Sequence, residues 1–258
     1  MDYEFQYVTS IGRRNVNQDA CYVCSASSGG GTVLCAAVCD GVGGFAKGET
    51  ASAETVREID EWFRFEFPEL AEDHRSRFAV AESLTERLRA VSERIFHFGQ
   101  FYSMESGTTA AILVLFGRDY IVLNVGDSRV YRLRGRAIRL LTEDQTLAML
   151  EVRRGKLSPA AAEKSPESNI LTQCIGSGKD VVPEIKCGHV RYGDSYLLCT
   201  DGFRRRLSET EVSAVLRREL SGEQLRHSLE DLAETVLARG EADNLTAIAV
   251  KAERTDGR

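Results

Sequence analysis

The chain has 258 residues, 43% hydrophobic and 28% charged, enough apolar material for a large core in a water-soluble domain. Its net charge of -6 offers no overall basic face to displace counterions from phosphates, so no nucleic-acid partner is expected. No apolar run reaches the length of a membrane span, and Met1 to Phe5 lack the basic and apolar stretches of a secretory signal. The 7 cysteines, an odd number, suit a reducing compartment, so a cytoplasmic chain with no membrane partner is the expectation.

The start of the chain reads as β-rich up to about Cys39, with Ser27 to Gly31 as a hairpin loop. Cys21 and Cys24, followed by Cys35 and Cys39, loosely match a zinc spacing. Both stretches read as strands, however, and alternation along a strand turns Cys21 and Cys24 to opposite faces. Small core residues are therefore the better reading.

Two helices follow. Ser52, Val56, Ile59 and Phe63 share one face of the first, which Pro68 ends. Ala81, Leu84, Leu88, Val91, Ile95 and Phe98 form the core-facing stripe of the second. Strands are expected at Thr108 to Phe116, Tyr120 to Val125 and Arg129 to Arg134, with hairpin turns at Gly117-Arg118 and Gly135-Arg136. The stretch from Thr146 to Ile175 is polar, partly helical and loop-like.

Strands return at Glu184 to Val190, Ser195 to Thr200 and Leu245 to Ala252. Between the last two, Ser208 with Glu211 and Ser221 with Gln224 have the spacing of capping boxes opening two helices. Leu225, Leu229, Leu232 and Val236 give the second its buried face, and Gly240 stops it. Arg204-Arg205-Arg206 and Arg217-Arg218 read as solvated, charged surface. Strands grouped with strands, and helices with helices, predict a mainly antiparallel α+β fold in one domain spanning 1–258.

The informative chemistry is a set of aspartates placed beside apolar strands: Asp40 after Ala36 to Cys39, Asp127 after Asn124-Val125-Gly126, Asp201 after Tyr196 to Thr200, and Asp243 before the last strand. One Asp-Gly pair is most often a bare turn. Four such positions are harder to dismiss, because converging carboxylates repel unless cations sit among them. Carboxylate and carbonyl oxygens suit Mg²⁺ or Mn²⁺, and no histidine or cysteine set points to a softer metal.

In order along the chain stand Gly12 to Asp19, Val38 to Gly44, Ser106 to Ala110, Asn124 to Arg129, Leu171 to Gln173 with Ile175-Gly176, Gly193-Asp194 through Asp201-Gly202, and Asp243 to Thr246. These seven blocks resemble the type 2C, metal-dependent protein serine/threonine phosphatases, in the compact form of the bacterial branch. The resemblance implies a central β-sandwich of two antiparallel sheets flanked by helix pairs, a four-layer α-β-β-α arrangement. It also implies hydrolysis of phosphoserine and phosphothreonine in proteins, by in-line attack of a water shared between two metal ions, with no phosphoenzyme. The expected partners are phosphorylated proteins, a serine/threonine kinase and its targets among them.

By the same resemblance, Asp40 bridges two Mn²⁺ or Mg²⁺ ions, the Gly41 carbonyl joins one, and Asp201 and Asp243 hold the other. Asp19 acts from the first or outer shell, and Asp127 with Asp201 matches a weaker third site. Arg14 takes the phosphate, since a guanidinium can hold two phosphate oxygens, with Arg13 as its rival if the match slips by one. Residues 146–170 correspond to a flap beside the active site, with Ser165-Pro166 where relatives often carry His-Pro. Two departures stand out. Gln18 replaces a common Glu, and Val42 stands where eukaryotic members often have a His proposed as general acid.

Overall fold

In the computed structural model of the chain, which describes residues 1–28, 31–42, 47–72, 76–178, 180–217 and 219–254, strand β3 (Gly31–Asp40) is buried on both faces. That explains its unbroken apolar run. Cys35, Ala37 and Cys39 point to a core under helices, while Leu34, Ala36 and Val38 point to a second core between two sheets. Cys21 and Cys24 fall in these two different cores, as alternation along β2 (Asp19–Ser28) requires.

One sheet holds β2, β3, β4 (Ala110–Phe116), β5 (Asp119–Val125) and β8 (Glu184–His189), in that order and antiparallel throughout. The other runs β1 (Asp2–Ser10), β10 (Leu245–Glu253), β9 (Asp194–Cys199), β6 (Arg129–Arg134) and β7 (Ala137–Leu140), also antiparallel. Helices α1 (Gly48–Phe65), α2 (Phe67–Glu72) and α3 (Arg77–Phe101) cover the first sheet. Residues 147–153 and 159–162 form the short helices α4 and α5, and a 3-10 turn spans Pro166–Asn169. Helices α6 (Asp201–Arg204), α7 (Glu209–Val215) and α8 (Gly222–Ala238) cover the second sheet. Three apolar cores thus separate four layers, the α-β-β-α arrangement expected.

Local expectations held unevenly. Pro68 does not simply end a helix; it sits in the first turn of α2, where its missing N–H is no loss. Phe98 leaves the buried stripe of α3 and is 42% exposed; in that last turn the stripe passes from Ile95 to Gly99, which is buried against the Met104 carbonyl. In α8 it is Ala233 that is buried, with Leu225, Leu229 and Val236, and Leu232 is only partly covered. The Ser208–Glu211 capping box is present, but Ser221 makes no side-chain cap. The β2–β3 ladder continues through Ser27, Ser28, Gly31 and Thr32, so the hairpin is tighter than a loop from Ser27 to Gly31. Gly29 and Gly30, Gly43 and Gly44 of the Asp40 block, and Arg218 lie outside the described residues.

Between β5 and β6 the chain leaves one sheet for the other, and Gly126-Asp127-Ser128 makes that passage. Among the described residues no helix is long and apolar enough to cross a membrane.

Candidate active site

The sheet registers carry every singled-out aspartate to one end of the sandwich. Asp19 opens β2 directly opposite Asp40, the last residue of β3. Arg129 pairs with Cys199, which sets the Asp127 turn beside Thr200-Asp201. Thr200 N–H donates to the Thr246 carbonyl at 3.0 Å, bringing the end of β9 alongside the start of β10 and Asp243. Like charges opposite one another on paired strands are destabilising, so Asp19 facing Asp40 serves something other than the fold.

Main-chain clamps hold these carboxylates in place. The Asp40 carbonyl accepts from Thr109 N–H at 2.9 Å and from the Thr108 hydroxyl at 2.9 Å, while Asp40 N–H donates to Thr109 Oγ1 at 3.0 Å. Gly41 packs so closely on Gln18 and Gly48 that a Cβ would lie 2.6 Å from their backbone atoms. A Cβ on Gly202 would lie 2.1 Å from the Asn244 carbonyl, so glycine after Asp201 lets the two aspartate-bearing turns touch.

The electrostatics are those of crowded anions. Burial pushes the Asp40 carboxyl well above the usual range, and repulsion from Asp19, Asp201, Asp127 and Asp243 adds to it. Asp19 is raised by burial, with Asp201 and Asp243 contributing, although Thr246 and Thr200 hydroxyls pull it back. Asp127 is raised by burial and then by Asp201, while Arg204 and Arg205 oppose the shift. Asp19 Oδ2 accepts from the Thr200 hydroxyl at 3.0 Å, but its buried Oδ1 has no hydrogen-bond partner among the described residues. A buried carboxylate oxygen without a donor, close to the carboxylates of Asp40, Asp201 and Asp243, is a donor set suited to a hard dication. Among the described residues, no three His, Cys, Asp or Glu side chains form a ready-made metal cage. Two of the aspartates instead turn onto arginines.

Arg14 Nε and Nη2 donate to Asp243 Oδ1 and Oδ2, both at 3.0 Å, a two-pronged pairing. Arg13 turns away, its Nη2 donating to the Leu237 carbonyl at 3.2 Å, so of the two rivals it is Arg14 that faces the acidic cluster. Arg205, one turn beyond Asp201, donates to Asp201 Oδ2 and, at 2.8 Å, to Asn169 Oδ1. Arg204 is 14% exposed and donates to the Asp127 carbonyl at 3.2 Å and to Asp144 at 3.1 Å. Arg129 holds the same Asp144 through two contacts, at 2.8 and 2.7 Å. The reading as solvated surface is therefore wrong for Arg204, which α6 winds back onto the site; Arg205 is exposed, as expected, yet its guanidinium reaches Asp201. Arg206 does lie at the surface, 50% exposed and 3.5 Å from Glu241.

Gln18 directs its amide to Glu49 Oε2 at 3.4 Å, and Val42 N–H donates to the Gly107 carbonyl at 3.0 Å. Sequence reasoning missed Asn244. Its amide donates to the Ile11 and Val16 carbonyls at 2.9 and 3.1 Å, and its oxygen accepts from Gln18 N–H at 2.9 Å. It thereby pins the loop that carries Arg14 and Asp19. The signal was its place beside Asp243, but nothing in the chain's order names its partners, some 230 positions away.

With this arrangement in view, known proteins can be set beside it. The model for protein phosphatase 2C matches residues 9–247. A Streptococcus pyogenes chain named as of the protein phosphatase 2C type is 30% identical over 96% of this chain and 97% of its own length. A serine/threonine phosphatase structure from S. agalactiae superposes with a TM-score of 0.84 at 29% identity, over 98% of this chain and all (100%) of that one. The catalytic domain of the serine/threonine phosphatase PstP, solved with 2 manganese ions, superposes with a TM-score of 0.76 at 25% identity, over 98% and 99% of the two chains. The fold, the converging aspartates and the match along most of the length agree: the chain belongs to the protein phosphatase 2C family and is an enzyme of that class.

Proposed function

We propose that this chain hydrolyses phosphoserine and phosphothreonine in proteins, using Mn²⁺ or Mg²⁺ held by Asp40, the Gly41 carbonyl, Asp201 and Asp243, with Asp19 and Asp127 beside them. The observation that carries the reading is the convergence of five aspartates at one sandwich end, next to a two-pronged arginine. The cations, when bound, would lower the pKa of a water and supply the positive charge that phosphoryl transfer needs.

The chain's own residues do the rest. Arg14 presents to Asp243 the same fork that fits two phosphoryl oxygens, so it binds and orients the phosphate. Asp19, oriented by the Thr200 hydroxyl at 3.0 Å, is placed beside the cations to act from the first or outer shell. Thr108 and Thr109 keep Asp40 fixed, so little reorganisation accompanies the reaction. Val42 carries no proton, so protonation of the leaving oxygen falls to solvent held at the site. In this reading the chain works as one domain in the cytoplasm, residues 146–170 act as a flap beside the site, and the enzyme opposes a serine/threonine kinase.

A phosphothreonine peptide and a nitrophenyl phosphate, assayed with titrated Mn²⁺ and Mg²⁺, test this. Peptide turnover that requires metal is expected, and Asp201→Asn should nearly abolish it while the fold persists. Turnover of the small ester without any peptide turnover would instead mark a small-ester hydrolase. Wild-type rates for Asp201→Asn under saturating Mn²⁺ would overturn the metal assignment.

A further inference from the structure

Arg205 makes two contacts that belong to different parts of the chain. Its Nη2 donates to Asp201 Oδ2 and also, at 2.8 Å, to Asn169 Oδ1. Asp201 is deep in the acidic cluster, its side chain 11% exposed, whereas Asn169 ends the 3-10 turn of segment 146–170 and is exposed. One guanidinium nitrogen therefore bridges the acidic cluster and that segment. The i to i+4 spacing within the α6 turn makes this possible, since it stacks residue 205 over residue 201.

The turn that Arg205 holds is built to be held. Ser165 Oγ accepts from Glu167 N–H at 3.2 Å, Pro166 opens the turn, and Ser168 Oγ donates to Asn169 Oδ1 at 3.3 Å. The two ends of the segment are tied to each other separately, by Leu147 N–H to the Ile170 carbonyl at 2.9 Å and Thr172 N–H to the Gln145 carbonyl at 2.8 Å. Loss of the Arg205 bridge would therefore free the turn without detaching the segment. Arg204 beside it is committed elsewhere, to Asp144 and the Asp127 carbonyl, and does not compete for Asn169.

We propose that Arg205 is a positioning residue that latches the segment 146–170 to the acidic cluster: its guanidinium serves as a resident cation on Asp201, and a metal ion taking Asp201 displaces it and releases the Asn169 turn. This rests on the reading of Asp201 as a metal ligand. A dication on Asp201 would lie close to the guanidinium on Oδ2 and repel it, so metal loading and the latch compete. The device makes the shape of the substrate-facing edge depend on whether the site is loaded.

The test uses the full chain and needs no turnover. Amide exchange at residues 165–170 is followed by mass spectrometry in chelator and with saturating Mn²⁺, alongside calorimetric Mn²⁺ titration. Wild type should show slow exchange without metal and about tenfold faster exchange with it. Arg205→Ala should exchange fast in both states and bind Mn²⁺ ~5–10-fold tighter, having lost a charge-assisted competitor. Asn169→Ala should exchange fast in both states and bind Mn²⁺ tighter than wild type but less so than Arg205→Ala, because coupling is reciprocal, whereas general loosening of the fold would weaken binding. Arg205→Lys, keeping the charge on Asp201, should return Mn²⁺ affinity toward wild type. If wild type binds Mn²⁺ and exchange at 165–170 does not change, or if Arg205→Ala binds Mn²⁺ no tighter, the latch is refuted while the metal site stands. If wild type binds no Mn²⁺ at all, both fall.

Discussion

Asn244 offers a sharp test of how the site is held. It is 5% exposed, and replacing it with alanine removes two donated hydrogen bonds, to the Ile11 and Val16 carbonyls, and one accepted from Gln18 N–H. At a net ~1 kcal/mol each, the loss is ~3 kcal/mol. For a chain of this size that corresponds to a fall in Tm of roughly 6–12 °C. Asn244→Asp should be worse than Asn244→Ala, although it is closer in shape. Its carboxylate would face two carbonyl oxygens, at 2.9 and 3.1 Å in the native arrangement, with nothing to donate. Calorimetry in chelator isolates the effect from metal linkage. Because the same loop carries Arg14 and Asp19, kcat/KM on a phosphothreonine peptide should fall about 10- to 100-fold in the alanine variant. A Tm within about 2 °C of wild type, or an aspartate variant more stable than the alanine one, would show that the clamp reasoning is wrong.

Arg14→Lys should lower kcat/KM roughly 10- to 100-fold, because a point charge cannot reproduce the fork, whereas Arg13→Lys should stay near wild type; equal effects in steady-state kinetics would cancel the distinction. In metal-free protein Asp40→Asn should raise stability by ~0.5–2 kcal/mol, since it removes one charge from the crowd, and should abolish the Tm gain on adding Mn²⁺. A metal-free Asp40→Asn that melts below wild type would contradict that. Glu211 is held at a pKa of about 2, below the ordinary 4.5, chiefly by the Arg239 side chain, with Ser208 assisting. A depressed carboxylate stabilises the fold above its unfolded pKa. The Tm gap between wild type and Glu211→Gln should therefore be full at neutral pH, shrink below 4.5 and close near 2. Thermal melts across that window check the sign.

Much of this molecule is legible in one dimension. A strand covered on both faces writes a continuous apolar run, as at Val33 to Cys39, and a helix on a sheet writes a three- and four-residue stripe, as at Ala81 to Ile95. The aspartates at the ends of such runs were visible for the same reason, because a rigid strand delivers its last residue to a fixed place. Phe98 and Leu232 show where periodicity overreaches: it marks a helix face, but not which of two adjacent positions is covered, and Gly99 and Ala233 are the buried ones.

What local order determined, then, was the set of elements and the acidic residues at their ends. Tertiary structure alone decided their company. The Asp19–Asp40 register, the crossing at Asp127, the turning of Arg14 rather than Arg13 toward Asp243, and the folding back of Arg204 and Arg205 all depend on segments far apart in sequence. Side-chain contacts of that kind leave no period and no spacing behind. Asn244 illustrates this: beside Asp243 it looks like an ordinary turn residue, and only the packing of β10 against the 11–18 loop makes it the clamp of the site.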